Sequence, residues 1–224
     1  MIPVIQGQVP AFPVYLFDLD GTLLDSAEDI CGAIRQVLAA TDCQPPSFEW
    51  LKDYIGLHLV EVFRDTLPDS TPEQIDELIR QYRICYPARG HKQTRLYPGV
   101  RAALAALGGR KSTATTKGSA SSRAILEQFE ILPYFDHVQG TDGFPSKPAP
   151  DVILAALAAL GARAEECLMV GDSPSDMEAG RCAGVKICAV RYGYGQPSEL
   201  ARFEPDYWIG DLRALAPVAA RQTV

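Results

Sequence analysis

The chain has 224 residues, with 21 Lys and Arg against 28 Asp and Glu, for a formal net charge of -7. That length can bury a sizeable core and suits one large domain or a main domain with a small insert. The acidic balance removes any electrostatic reason to expect a nucleic-acid face or an anionic membrane partner, while a local site can still hold a small or metal-bound anion.

The opening stretch "MIPVIQGQVPAFPVYLF" has no basic segment leading into a long apolar run, so neither a secretory signal nor a membrane anchor is expected. The longest apolar run, "VILAALAALGA", is too short to span a bilayer. A cytoplasmic location follows as the expectation. Cys31, Cys43, Cys85, Cys167, Cys182 and Cys188 form no CxxC pair, and there are only three histidines. A zinc cluster and a disulfide framework are therefore both unexpected, and most of these thiols should serve as small buried hydrophobes.

Pro13 precedes "VYLF", whose apolar content without polar alternation predicts a strand covered on both faces and ending at Asp18. Ser26 with Asp29 three residues on predicts a capping box, after which Ile30, Ala33, Ile34, Val37 and Leu38 recur at helical spacing. "QPPSFEW" interrupts that helix. Short helices are expected around Trp50 to Tyr54 and around Leu59 to Phe63. A further helix begins with Thr71 as N-cap, Pro72 at the first position and Gln74 at the third. Residues 26 to 90 thus read as helical throughout.

From "LYPGV" the pattern shifts to short alternating strands and helices, the mark of a parallel sheet flanked by helices. Helices are predicted at Val100 to Leu107, Ser121 to Phe129 and Pro150 to Leu160, and in "PSDMEAGRCAG". Strands are predicted at "KSTATT", "FDHVQG", "CLMVGD", "VKICAV" and "DYWIG". The fold class is therefore α/β, a Rossmann-like parallel sheet with a helical insert placed directly after the first strand. An independent N-terminal helical domain would leave "VYLFD" without a sheet to join.

Asp18 and Asp20 fall where the first strand emerges as a loop, the edge at which open α/β sheets bind ligands. Asp172 follows "LMV" in the same way, and Asp176 falls in the first turn of a helix that Pro174 can begin. Either pair alone could cap a turn or face solvent. Two pairs on matching strand ends instead predict crowded like charges that need shared protons or a cation. Ligands that are all oxygen favour magnesium, Mg2+, which would keep water and take up a substrate phosphate. Carboxylate, magnesium and phosphate together suggest covalent phosphoryl transfer, with Asp18 attacking and Asp20 protonating the leaving oxygen. Gly21 lets the backbone turn close to phosphate. "TTKGS" at 115 to 119 offers hydroxyls and amides ahead of a helix N-terminus, and Lys117 and Lys147 are both candidate cations.

"DLDGTLLDS", "TTKGS", "SKPAPD" and "GDSPSDMEAG", in this order, resemble the four motifs of the haloacid dehalogenase superfamily, in its phosphoglycolate phosphatase-like branch. The resemblance covers nearly the whole chain. It implies that Asp18 is the phosphorylated nucleophile, Asp20 the general acid and base, Thr115 a binder of the transferring phosphoryl group, and Lys147 the cation steadying both. Magnesium is expected among Asp18, Asp20, Asp172 and Asp176, with Asp172 a ligand and Asp176 orienting metal-bound water or the loop. Gly21, Thr22 and Thr116 are expected at the substrate. Thr116 stands where relatives often carry asparagine. The helical stretch resembles a mobile cap, giving a core of 1–24 and 96–224 and a cap of 25–95. Within the cap, Lys52 and His58 near Gly56 are candidates to meet the substrate.

The expected activity is hydrolysis of a small phosphorylated metabolite, 2-phosphoglycolate before nucleotides, sugar phosphates or pyrophosphate, by a monomer or homodimer. Phosphonoacetaldehyde hydrolysis through Lys52, a sugar-phosphate mutase and a non-catalytic phospho-ligand sensor are the alternatives on the same fold.

Overall fold

Every side chain of β1 (Val14–Phe17) is buried, which is why its sequence is apolar without alternation. In the computed structural model, which describes residues 9–216, Tyr15 and Phe17 enter one hydrophobic layer and Val14 and Leu16 the layer on the opposite face. Each large side chain buried this way contributes about 1.5–3 kcal/mol before entropic costs. The expectations that rest on residues 1–8, at the start of the chain, lie outside the described residues.

Parallel pairing joins β1 to β4 (Arg110–Thr113) on one side and to β5 (Cys167–Gly171) on the other. β6 (Lys186–Val190) and β7 (Tyr207–Ile209) extend the sheet to the order β4-β1-β5-β6-β7. "KSTATT" thus yields a strand despite its polarity. Helices α5 (Val100–Ala106), α6 (Ser119–Gln128), α7 (Asp151–Leu160) and α8 (Pro174–Cys182) supply buried residues to the two layers.

The insert contains α1 (Ala27–Leu38), α2 (Phe48–Lys52), α3 (Leu59–Thr66) and α4 (Pro72–Ala88), which enclose a third hydrophobic cluster. Thr71 and Gln74 close the expected capping box at the start of α4. The chain crosses between the two bodies on β2 (Leu24–Asp25) and β3 (Arg95–Leu96), paired antiparallel. Among the described residues no helix is long and apolar enough to cross a membrane.

Two expectations are corrected. "FDHVQG" forms no strand and meets β4 through an isolated bridge between Ser112 and His137 and a few scattered hydrogen bonds. The Lys111 amide, which a ladder would use, donates instead to the Asp136 carboxylate. The capping box at Ser26 does not form either. Ser26 Oγ donates to Asp20 Oδ1 at 2.6 Å, and Asp29 turns to the Gln93 amide, the Thr94 hydroxyl and Arg89.

Candidate active site

Register brings the acidic residues together. Phe17 is aligned with Thr113 on one neighbour and Val170 on the other, so the loops after β1, β4 and β5 leave the sheet at one level. The Asp18 amide still donates to Val170 O at 3.0 Å, fixing Asp18 as the last residue held by the sheet. Asp172 follows β5, and the start of α8 carries Asp176. There Ser173 and Asp176 form a reciprocal capping box, and Asp176 Oδ2 accepts the amides of Asp172 and Ser173.

Ligand oxygens of Asp18, Asp172 and Asp176 lie within 4.8 Å of one another, all buried. Lys147 Nζ pairs with Asp176 Oδ1 and lies 2.9 Å from Asp18 Oδ1. The second contact pairs charges without hydrogen-bond alignment, and Asp18 Oδ1 is left buried without a hydrogen-bond partner. Burial pushes the Asp18 carboxyl up to about 6, against the pull of Lys147 and with Asp176 and Asp20 adding to the rise. Burial, then the neighbouring Asp176 and Asp18, also hold Asp172 well above the usual carboxylate range. Three buried carboxylates facing one ammonium, with an orphaned oxygen among them, fit a small hard divalent cation such as magnesium.

The loop between β1 and β2 wraps this cluster. Gly21 has φ +89°, and a Cβ there would run into the Asp172 carboxylate. Thr22 Oγ1 donates to Asp172 Oδ1 at 2.9 Å, so this hydroxyl is committed to the carboxylate cluster.

Asp20 faces the other way. Its Oδ1 accepts from Ser26, and its Oδ2 pairs with Lys117 Nζ at 2.9 Å. Its carboxylate is not part of the three-residue cluster. Lys117 reaches from the core to α4, where Nζ lies 3.2 Å from Tyr86 Oη and 4.4 Å from that ring's centroid. Thr115 is fully buried just past β4, and its Oγ1 accepts the Lys117 amide at 3.4 Å.

Between core and insert lies a cavity of about 530 Å³, walled by Asp20, Thr116 and Lys117 below and by His58, Arg83 and Tyr86 above. His58 Nδ1 also caps α3, accepting the Val60 amide at 3.3 Å. Lys52 is not among the lining residues. Its Nζ sits over the Tyr194 ring, 5.6 Å from the centroid. Lys117, expected as a candidate cation, faces Asp20 and the cap, and Arg83, Tyr86 and Tyr194 are functional-site residues that no motif marks. Arg83 and Tyr86 lie three residues apart on α4, so a helical-face count through the cap was the signal available for them.

Known proteins are similar to this chain in both sequence and fold. A family model described as haloacid dehalogenase-like hydrolase matches residues 15–190. A phosphoglycolate phosphatase of Vibrio cholerae is 36% identical over 213 residues, covering 90% of this chain and 94% of that protein. A 5'-nucleotidase of Pseudomonas aeruginosa is 32% identical over 212 residues, covering 92% and 95%. Among solved structures, a haloacid dehalogenase-like hydrolase of Streptococcus pneumoniae superposes with a TM-score of 0.82 at 26% identity, covering 90% of this chain and 95% of that one. With a family match over most of its length and relatives alike along nearly the whole chain, the chain belongs to the haloacid dehalogenase-like hydrolases, as an enzyme of their phosphatase branch.

Proposed function

We propose that the chain is a magnesium-dependent cytoplasmic phosphatase that hydrolyses small organic phosphomonoesters through an aspartyl-phosphate, with 2-phosphoglycolate preferred. The observation that carries this reading is the unequal setting of two carboxylates two residues apart. Asp18 is buried against Lys147 in the acidic cluster, whereas Asp20 faces the cavity on Ser26 and Lys117.

An Asp18 oxygen attacks phosphorus, the bond from phosphorus to the leaving oxygen breaks, and Asp20 gives that oxygen its proton. Asp20, now a carboxylate, takes a proton from the water that attacks the aspartyl-phosphate, and inorganic phosphate leaves with Asp18 restored. Lys147 balances the Asp18 charge before attack and the phosphoryl charge after it. Thr115 and the amides after it hold phosphoryl oxygens. When bound, magnesium supplies further positive charge against those oxygens. The insert, taken as 25–95, closes over the substrate and excludes water. Arg83, exposed on α4 and lining the cavity, is placed to meet the carboxylate of 2-phosphoglycolate.

A nucleoside monophosphate is the second reading. Support comes from the roughly 530 Å³ cavity, which has Tyr54, Tyr82 and Tyr86 on its walls and is larger than phosphoglycolate alone requires. The test is a panel of 2-phosphoglycolate, nucleoside monophosphates, sugar phosphates and pyrophosphate, assayed with magnesium and with chelator. Highest kcat/KM for 2-phosphoglycolate and loss of all activity on chelation are expected. A nucleoside monophosphate at the head of the panel would transfer the assignment to the second reading. No metal-dependent phosphate release from any ester would overturn both.

A further inference from the structure

The first turn of α1 is capped from the far end of the chain. The side chain of Ser26, its N-cap residue, is spent on Asp20, so the amides at the start of the helix need another acceptor. Tyr194, 168 residues away from Ser26, provides it. Its Oη accepts the Ser26 amide at 2.7 Å and the Ala27 amide at 3.0 Å, and donates to Asp25 Oδ1 at 3.0 Å. One donated and two accepted bonds tie the phenol to the chain at the start of α1. All three partners lie where the chain leaves β2 for the insert.

The backbone of the same residue holds the acidic cluster. Tyr194 N donates to Asp172 Oδ2 at 2.8 Å. The chain lies so close to Asp172 that a Cβ at Gly195 would run into the Asp172 carbonyl oxygen. A neighbour in the same loop, Tyr192, donates from its Oη to Thr22 O at 2.9 Å and thereby holds the β1 loop as well. Lys52 of α2 covers the Tyr194 ring from the cap side.

We propose that Tyr194 is a positioning residue that ties the Asp172 carboxylate to the hinge of the cap, so that occupancy of the metal site and order of the hinge are coupled. Its amide reads Asp172 and its hydroxyl holds the first turn of α1. Coupling of this kind is reciprocal: a cation that fixes Asp172 orders the hinge, and an ordered hinge favours the cation. The proposal rests on Asp172 being a metal ligand.

Tyr194→Phe keeps the ring under Lys52 and the amide on Asp172, and removes the hydroxyl's bonds to Asp25, Ser26 and Ala27 together with its contact to Tyr97. Amide hydrogen exchange is followed by NMR in wild type and variant, with and without magnesium, beside calorimetric titration with magnesium. Leu78 and Ile79, buried inside α4, serve as internal controls for cap folding. In wild type, magnesium should slow exchange at Ser26 and Ala27. In Tyr194→Phe, exchange at these two amides should be about tenfold faster or more, the scale expected for one or two lost hydrogen bonds. The response to magnesium should vanish there while Leu78 and Ile79 stay unchanged. If the variant keeps the magnesium-dependent slowing, or wild type binds magnesium and shows none, the coupling is overturned and the metal site stands. If wild type binds no magnesium, the metal reading falls and the coupling with it.

Discussion

Asp18→Asn is expected to lower kcat by about 10⁴-fold or more, the scale on which removal of a covalent nucleophile acts. The same substitution should not unfold the protein. In the absence of metal, Asp18 is held near 6 by burial, with Lys147 opposing and Asp176 and Asp20 reinforcing the shift, so folding favours the protonated carboxyl. A carboxyl whose folded value lies above its unfolded one takes stability away as pH rises between the two. Asparagine has no such charge. Melting temperatures measured in chelator should therefore match near pH 4 and separate as pH rises through about 6, with Asp18→Asn the more stable protein above that range. A variant that melts well below wild type at neutral pH would show that Asp18 is a structural partner of Lys147.

Lys147→Met should act in the opposite direction on stability. The Lys147 side chain is fully buried and pairs with both Asp18 and Asp176, so methionine leaves the acidic cluster without its ammonium. Breaking a buried pair from one side costs about 3–5 kcal/mol. Denaturant unfolding in chelator should show a loss of that order. Magnesium should recover more stability in Lys147→Met than in wild type, because the ion then faces uncompensated carboxylates. Turnover should fall as well, since phosphoryl charge loses its nearest ammonium. Equal stability of variant and wild type in chelator would mean that the carboxylates are already neutral and that Lys147 balances little.

The contrast between these two variants follows from features that are local in the chain. Asp18 and Asp172 each end a short apolar run, and Pro174 marks the helix that carries Asp176, so composition and spacing were enough to place them at one sheet edge. Thr71, Pro72 and Gln74 announced α4 in the same way. What stayed hidden depends on partners distant in sequence. β2 and β3 are two residues each, too short for any periodic pattern, and they exist because the cap must leave and return at one place. Ser26 is the N-cap residue of α1 as its sequence suggests, but only the approach of Asp20 and Tyr194 shows that its hydroxyl serves the first and its amide the second instead of capping the helix. Lys147 was singled out by the motif it sits in, whereas Lys117 stood only as a candidate cation in "TTKGS". Their burial against Asp20 and against Asp18 with Asp176 separates them, one facing the cap and one facing the acidic cluster.

A phosphoryl group that passes through Asp18 can be caught there, most directly by mass spectrometry of acid-quenched Asp20→Asn enzyme turning over an aryl phosphate. An aryl leaving group needs little help from a general acid, so the first step persists while the second, which needs Asp20 as base, stalls. The expected result is a mass gain of one phosphoryl group on the peptide containing Asp18. Phosphate release from this variant with no phosphoryl group on that peptide would contradict it.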